Sequence, residues 1–114
     1  MADFKLRDLS TDFAVKVIKL CDSVKGHYSL VNQLERSSTS IGANIHEANY
    51  ASSKADFIAK LQISLKETAE TEYWIRLLVL SEYITEKEGD SLLTDCLEIK
   101  KILVSTLNTS KGNC

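Results

Sequence analysis

The sequence predicts an all-α, antiparallel up-down-up-down four-helix bundle in a single domain. Three observations carry that expectation. The 114 residues include no proline and only four glycines, so little in the chain interrupts a helix. Apolar residues recur at spacings of three and four through four stretches, the period that gathers them on one helical face. The connections between those stretches are short, which makes successive helices antiparallel neighbours.

The first helix is expected from about Ser10 to Lys25. Phe13, Val17, Leu20 and Val24 share one face, and Gly26 can take the left-handed conformation that ends a helix. The second is expected from Ser29 to about Asn49 on a stripe of Leu30, Leu34, Ile41 and Ile45. Gly42 inside it costs about 1 kcal/mol relative to alanine, so it reads as a point of close helix approach and not as a break. Ser53 can cap the third helix, with Asp56 in its first turn, and the helix runs to about Ser81. Its core stripe reads as Phe57, Leu61, Leu65, Ile75 and Val79. The fourth opens at Thr85-Glu-Lys-Glu88, a capping-box pattern, and carries Leu92, Cys96, Ile99, Leu103 and Leu107 at helical spacing. Residues 1–9 and 110–114 are expected to fray at the two ends of the 1–114 domain.

Composition narrows the functional classes. Fourteen basic and sixteen acidic residues give a formal charge of −2, which offers no broad positive field for a phosphate backbone. Nucleic-acid binding would have to rest on a local patch. Cys21, Cys96 and Cys114 lack metal-ligand or redox-motif spacing, and the first two sit near apolar stripes, as small core fillers do. The opening residues show no charged-then-apolar leader. The apolar run from Tyr73 to Leu80 is interrupted by Arg76 and falls far short of the roughly 20 residues of a membrane span. A cytoplasmic protein with no membrane contact is expected.

Gln33, Ser37, Ser40, Asn44 and Glu47 step by four, three, four and three along the second helix, with Arg36 at the edge of their stripe. Small hydroxyls and an amide there allow close helix approach and interhelical hydrogen bonds, and Arg36 is placed to pair with a carboxylate of the next helix. Glu67 and Glu70, neighbours on the surface of the third helix, supply candidates. Arg36, Ser37, Ser40, Asn44, Glu47, Glu67 and Glu70 are therefore expected to form an interhelical polar network, not a ligand site. Glu72 falls between Leu61 and Leu65 on the core side and needs a hydrogen-bonding partner there.

A surplus of apolar surface speaks for assembly. Ile63, Trp74 and Leu77 lie on a different side of the third helix from its core stripe, and Leu93, Leu97 and Val104 are offset in the same way on the fourth. One bundle core cannot take both sides. These six residues are expected at an interface between copies of the chain, with Trp74 inside that interface or at its border.

Three segments also carry a family resemblance: Arg36-Ser-Ser-Thr-Ser-Ile-Gly-Ala-Asn-Ile-His-Glu47, Ser53-Lys-Ala-Asp-Phe-Ile-Ala-Lys-Leu61 and Lys66-Glu-Thr-Ala-Glu-Thr-Glu-Tyr-Trp74. Together they resemble the signature of the small four-helix bundles encoded inside intervening sequences of 23S ribosomal RNA genes, over about Gly26 to Leu80. The resemblance implies a bacterial bundle that assembles into a barrel-like homopentamer, with a protein or an RNA as a further partner. Relatives that accompany diversity-generating reverse transcriptases look like basic pentamers, whereas this chain is acidic. It departs from the commoner family pattern at Ala48, where many members have glycine after the glutamate.

Carboxylates on adjacent helices of a bundle raise an enzymatic alternative, the di-iron site built from glutamates and two Glu-x-x-His pairs. Neither His27 nor His46 follows a glutamate by three residues, and Glu67-x-x-Glu70 and Asn44-x-x-Glu47 are poor substitutes. No glycine-bounded nucleophile turn, phosphate loop or dinucleotide fingerprint occurs. Lys54, Lys60 and Lys66, spaced by six, do not share one helical face. The expectation is thus a non-enzymatic, homo-oligomeric interaction module without cofactor or metal, with RNA or ribonucleoprotein binding as the alternative.

Overall fold

The computed structural model describes residues 4–112. Its four helices are α1 (Phe4–Ser23), α2 (Tyr28–Ala48), α3 (Lys54–Leu80) and α4 (Glu86–Ser110). Each packs on its neighbour in sequence and α1 closes on α4, while α1 and α3, and α2 and α4, stand diagonally across the core. That is the antiparallel up-down-up-down bundle, drawn out to 44 × 23 × 19 Å. The α2–α3 contact is the most extensive and the α1–α4 contact the loosest.

Local chemistry sets the helix ends. Gly26 has φ +92° and His27 φ +42°, so the α1–α2 connection turns through two left-handed residues. The His27 ring meets Tyr83 edge-on at 5.0 Å, which ties this connection to the one between α3 and α4. Ser53 caps α3 by accepting from the Asp56 N–H at 3.0 Å. Thr85 and Glu88 form a reciprocal capping box at the start of α4, with bonds of 3.0 and 2.8 Å. At the end of α3, Glu82 takes φ +66°, and the Tyr83 N–H donates to the Leu78 carbonyl while the Glu82 N–H donates to that of Val79. This is a Schellman closure with glutamate in the place that glycine usually takes.

Two expectations are corrected. The first helix starts at Phe4 and not at Ser10, and Leu6, only 2 % exposed, belongs to the core with Ser10, Phe13 and Val17. The period of three and four simply continues toward the start of the chain, hidden in the sequence by Lys5, Arg7 and Asp8 on the outward side. Residues 5–9 are therefore helical. At the other end Ser110 closes α4, and residues 1–3, 113 and 114 of the ends expected to fray lie outside the described residues.

The second correction concerns α3. Its buried face is Leu61, Ser64, Thr68, Thr71, Ile75 and Leu78, whereas Phe57, Leu65 and Val79 are only half-buried. The inward face is rotated away from the all-apolar stripe, because small hydroxyl residues let α3 approach α2 more closely than leucines would. Glycines mark two more close approaches. A Cβ on Gly42 would come within 3.3 Å of Ser10 Oγ, and one on Gly89 would overlap the Val79 side chain.

Gly89 therefore supplies a test of packing against propensity. In an open helix Gly→Ala gains up to about 1 kcal/mol, but here the overlap with Val79 should outweigh it, and Gly89→Ala should destabilise by about 1–3 kcal/mol. Denaturant melts of Gly89→Ala, Val79→Ala and the double variant check this. The double variant should be more stable than the sum of the two single losses predicts.

Candidate interaction surface

The outer seam between α2 and α3 carries a cluster of charges around one guanidinium. Arg36 on α2 donates to Glu67 Oε1 at 3.4 Å and to the Glu70 carboxylate, both on α3, and to Gln33 Oε1 at 3.2 Å on its own helix. Glu70 also accepts from the Trp74 indole N–H at 2.9 Å. These bonds hold the Glu70 carboxyl below the usual glutamate range, the Trp74 bond first and the Arg36 bond second. Arg36 is raised correspondingly, mainly by Glu70. A second pair, Lys60 Nζ with Glu47 Oε1 at 3.0 Å, spans the same two helices toward the other end. Such solvated pairs each add little stability, but they bridge α2 and α3 along the seam.

Inside the seam lies a layer of buried hydroxyls. Ser37, Ser38, Ser64, Thr68 and Thr71 are all closed off from solvent. Ser64 Oγ donates across the helices to the Ile41 carbonyl at 2.9 Å, and the hydroxyls of Thr71 and Ser37 are hydrogen-bonded at 2.8 Å. Thr68 donates back to the Ser64 carbonyl at 2.9 Å. Among the described residues no buried side-chain nitrogen or oxygen lacks a partner.

The expected network is thus only partly interhelical. Arg36, Glu67 and Glu70 come together, Ser37 reaches Thr71, and Glu47 reaches Lys60. Ser40 and Asn44 do not cross: the Ser40 hydroxyl donates to the Arg36 carbonyl and the Asn44 amide to the Ser40 carbonyl, both at 2.8 Å and both within α2. A residue half-turned toward solvent finds its own helix carbonyl four residues back sooner than a neighbour's side chain. Sequence reasoning missed Ser64, Thr68 and Thr71. Their signal was present, since they continue the Leu61, Ile75 and Leu78 period, but polar residues were not counted as core.

Glu72 is half-buried and accepts from Lys100 Nζ on α4 at 3.1 Å, which supplies the partner its position demands. Cys96, packed nearby, is fully enclosed, and burial, with Glu72 and Asp95 adding to it, pushes its thiol up to about 12. Burial likewise raises Cys21 to about 11. Thiols so protonated are poor nucleophiles and metal ligands. His46 is exposed against Tyr50. Among the described residues no three of His, Cys, Asp and Glu gather as for a metal ion. A hollow of ≈ 480 Å³ over the α3–α4 connection is lined by Val79, Leu80, Glu82, Tyr83, Ile84, Thr85, Glu86 and Glu88, with no nucleophile paired to a base.

The apolar surplus lies on the outside of α3 and α4. Ile63, Leu97 and Val104 are exposed, Trp74 and Leu93 are half-buried against the core, and Leu77 is half-buried. Two residues overlooked in the sequence reading are the most exposed on this side of α3: Tyr73 at 57 % and Leu80 at 80 %. They face outward because the inward face of α3 is rotated toward Ser64 and Thr68. A helix that buries one face in its own bundle and presents an apolar opposite face has surface to spare for a partner.

Comparison with known proteins agrees with this architecture. A family model described as 23S rRNA-intervening sequence protein matches residues 2–105. A solved structure from Bacteroides thetaiotaomicron, described as a protein with unknown function from the S23 ribosomal protein family, is 46 % identical, with a TM-score of 0.84 over 90 % of this chain and 97 % of that one. No curated protein matches. Ala48 ends α2 buried against the core, and Asn49 closes the helix in the right-handed region.

Two measurements probe the seam. Thr71→Val keeps the shape but strips the hydroxyl from Ser37, and should cost about 1–3 kcal/mol in a denaturant melt, whereas Asn44→Ala, whose bond stays within its helix, should cost under about 1 kcal/mol. The second uses Trp74, the only tryptophan. Because the Glu70 pKa is depressed, its contribution is complete at neutral pH and is lost as pH falls through its folded value, which lies below the ordinary 4.5. Trp74 fluorescence should therefore change with a midpoint below pH 4.5, and Glu70→Gln should abolish that transition.

Proposed function

The chain belongs to the 23S rRNA-intervening sequence protein family, and from that premise we propose that it works as a non-enzymatic scaffold, a homo-oligomer of four-helix bundles, with five copies as the resemblance implies. One observation carries this reading. The longest helix, α3, has a solvent-facing side on which Ile63, Tyr73 and Leu80 stand exposed, although its opposite side already fills the bundle. Leu97 and Val104 extend the apolar surface across α4. For a soluble bundle the commonest way to cover such a face is another copy of itself. The cytoplasm is the compartment proposed, in keeping with two buried, unpaired cysteines. No helix among the described residues is long and apolar enough to cross a membrane.

An RNA or ribonucleoprotein-associated role is the second reading, favoured by Lys66, Arg76 and Lys101, which are exposed and have no carboxylate partner among the described residues. An unpaired basic group on the surface is free to meet a phosphate.

Sedimentation equilibrium at micromolar concentration decides the first reading: a mass several times the 12.7 kDa of one chain is expected, and a monomer would remove it. Isolation from native cells at moderate salt decides the second, where an enriched structured RNA would favour it over a protein-only assembly.

A further inference from the structure

Resting on the reading of the chain as a homo-oligomer, we propose that its copies join head to tail, with the outward face of α1 in one copy lying along the outward face of α3 in the next. The two faces are complementary in charge and in spacing. On α1, Asp12 and Asp22 are exposed without a basic partner among the described residues, and Val15, Ile18 and the unpaired Lys19 are exposed between them. On α3, Lys66 and Arg76 are exposed without a carboxylate partner, and Ala69 and Tyr73 lie exposed between them. The two acids and the two bases are the same number of residues apart, about 15 Å along each helix.

The bundle also sets the two faces at matching heights. Ser10 on α1 lies against Gly42, and Ser64 on α3 donates to the Ile41 carbonyl, so Ser10 and Ser64 stand level on either side of α2. Asp12 and Lys66, each two residues further on, are therefore level as well. Toward the other end, Cys21 Sγ lies 3.9 Å from the Val31 carbonyl while Thr71 meets Ser37. Six residues on from that pair along the antiparallel α2 and α3, Leu77 falls near the level of Val31 and Cys21, which leaves Asp22 and Arg76 within about 5 Å in height.

α1 and α3 run in the same direction and sit diagonally in the bundle. Rotation about an axis parallel to the helices preserves both direction and height. It brings Asp12 to Lys66, Asp22 to Arg76 and Val15 to Ala69, with Lys19 reaching the Tyr73 ring as a cation over an aromatic face. A two-fold pairing of α3 with itself would instead set Lys66 against Arg76, like charge against like. The contact is therefore heterologous, joining two different patches, and it ends in a closed ring when the rotation closes.

Charge reversal tests this, read as mass by sedimentation and as helix content by circular dichroism. D12K/D22K and K66D/R76D should each keep their helicity and raise the concentration of half-assembly by roughly tenfold or more. The quadruple variant, with both faces reversed, should recover the wild-type mass. Unchanged mass in both double variants, or a quadruple variant that stays dissociated while helical, would overturn the pairing and leave the oligomer standing on another surface. A wild type that is itself monomeric would instead remove the oligomeric reading. Nucleic acid carried by the wild type, and lost in K66D/R76D with no change of mass, would assign the α3 face to RNA and overturn the proposal.

Discussion

The close approach of α2 and α3 is the constraint on which the rest of this structure depends. It is made by small hydroxyl residues: Ser37 and Ser38 on one side, Ser64, Thr68 and Thr71 on the other, all without solvent contact. A hydroxyl in such a place must find an acceptor, and each does so through a bond to a helix carbonyl or to another hydroxyl. Leucine layers would pack at several registers with little difference in energy, whereas a Ser64 hydroxyl aimed at the Ile41 carbonyl has one register that satisfies it. The seam thereby fixes both the separation and the level of two helices, and α1 and α4 close around them.

That choice has a consequence for the surface of α3. With Ser64, Thr68 and Thr71 on the inside, large apolar residues such as Tyr73 and Leu80 are left outside. The charged cluster of Arg36, Glu67 and Glu70 caps the edge of the seam, and Trp74 lies along it with its nitrogen on Glu70. Exposed ion pairs contribute little to folding. Their better use here is to occupy donors and acceptors along the α2 edge of the outer face of α3, which carries Tyr73 and Leu80 together with the unpaired Lys66 and Arg76.

The fold was legible in the sequence because period and punctuation agree: four apolar stripes, the Ser53 cap, the Thr85–Glu88 capping box and Gly26 all point to the same bundle. The pairing of Arg36 with glutamates of α3 was legible too, since a lone guanidinium at the edge of a polar stripe has few other partners. What could not be read was the direction of the inner face of α3. Counting only apolar residues favoured Phe57, Leu65 and Val79, and the rotation becomes visible only when serine and threonine are allowed into the core. Ser40 and Asn44 were misplaced for a related reason, because spacing shows which residues share a stripe but not whether a side chain turns to its neighbour or to its own backbone. Leu6 was missed because the charged residues around it imitate a solvated end.

The charges left without partners complete the physical picture. Carboxylates that matter to the bundle have bases within reach: Glu70 has Arg36, Glu47 has Lys60, Glu72 has Lys100, and Asp95 has Lys16 at 2.8 Å. Among the described residues, Asp12 and Asp22 on the outward face of α1 keep no basic partner, with Lys19 unpaired beside them, and Lys66 and Arg76 on the outward face of α3 keep no acidic one. In the proposed contact the acids of one face meet the bases of the other, whereas two copies meeting by the same face of α3 would set like charge against like.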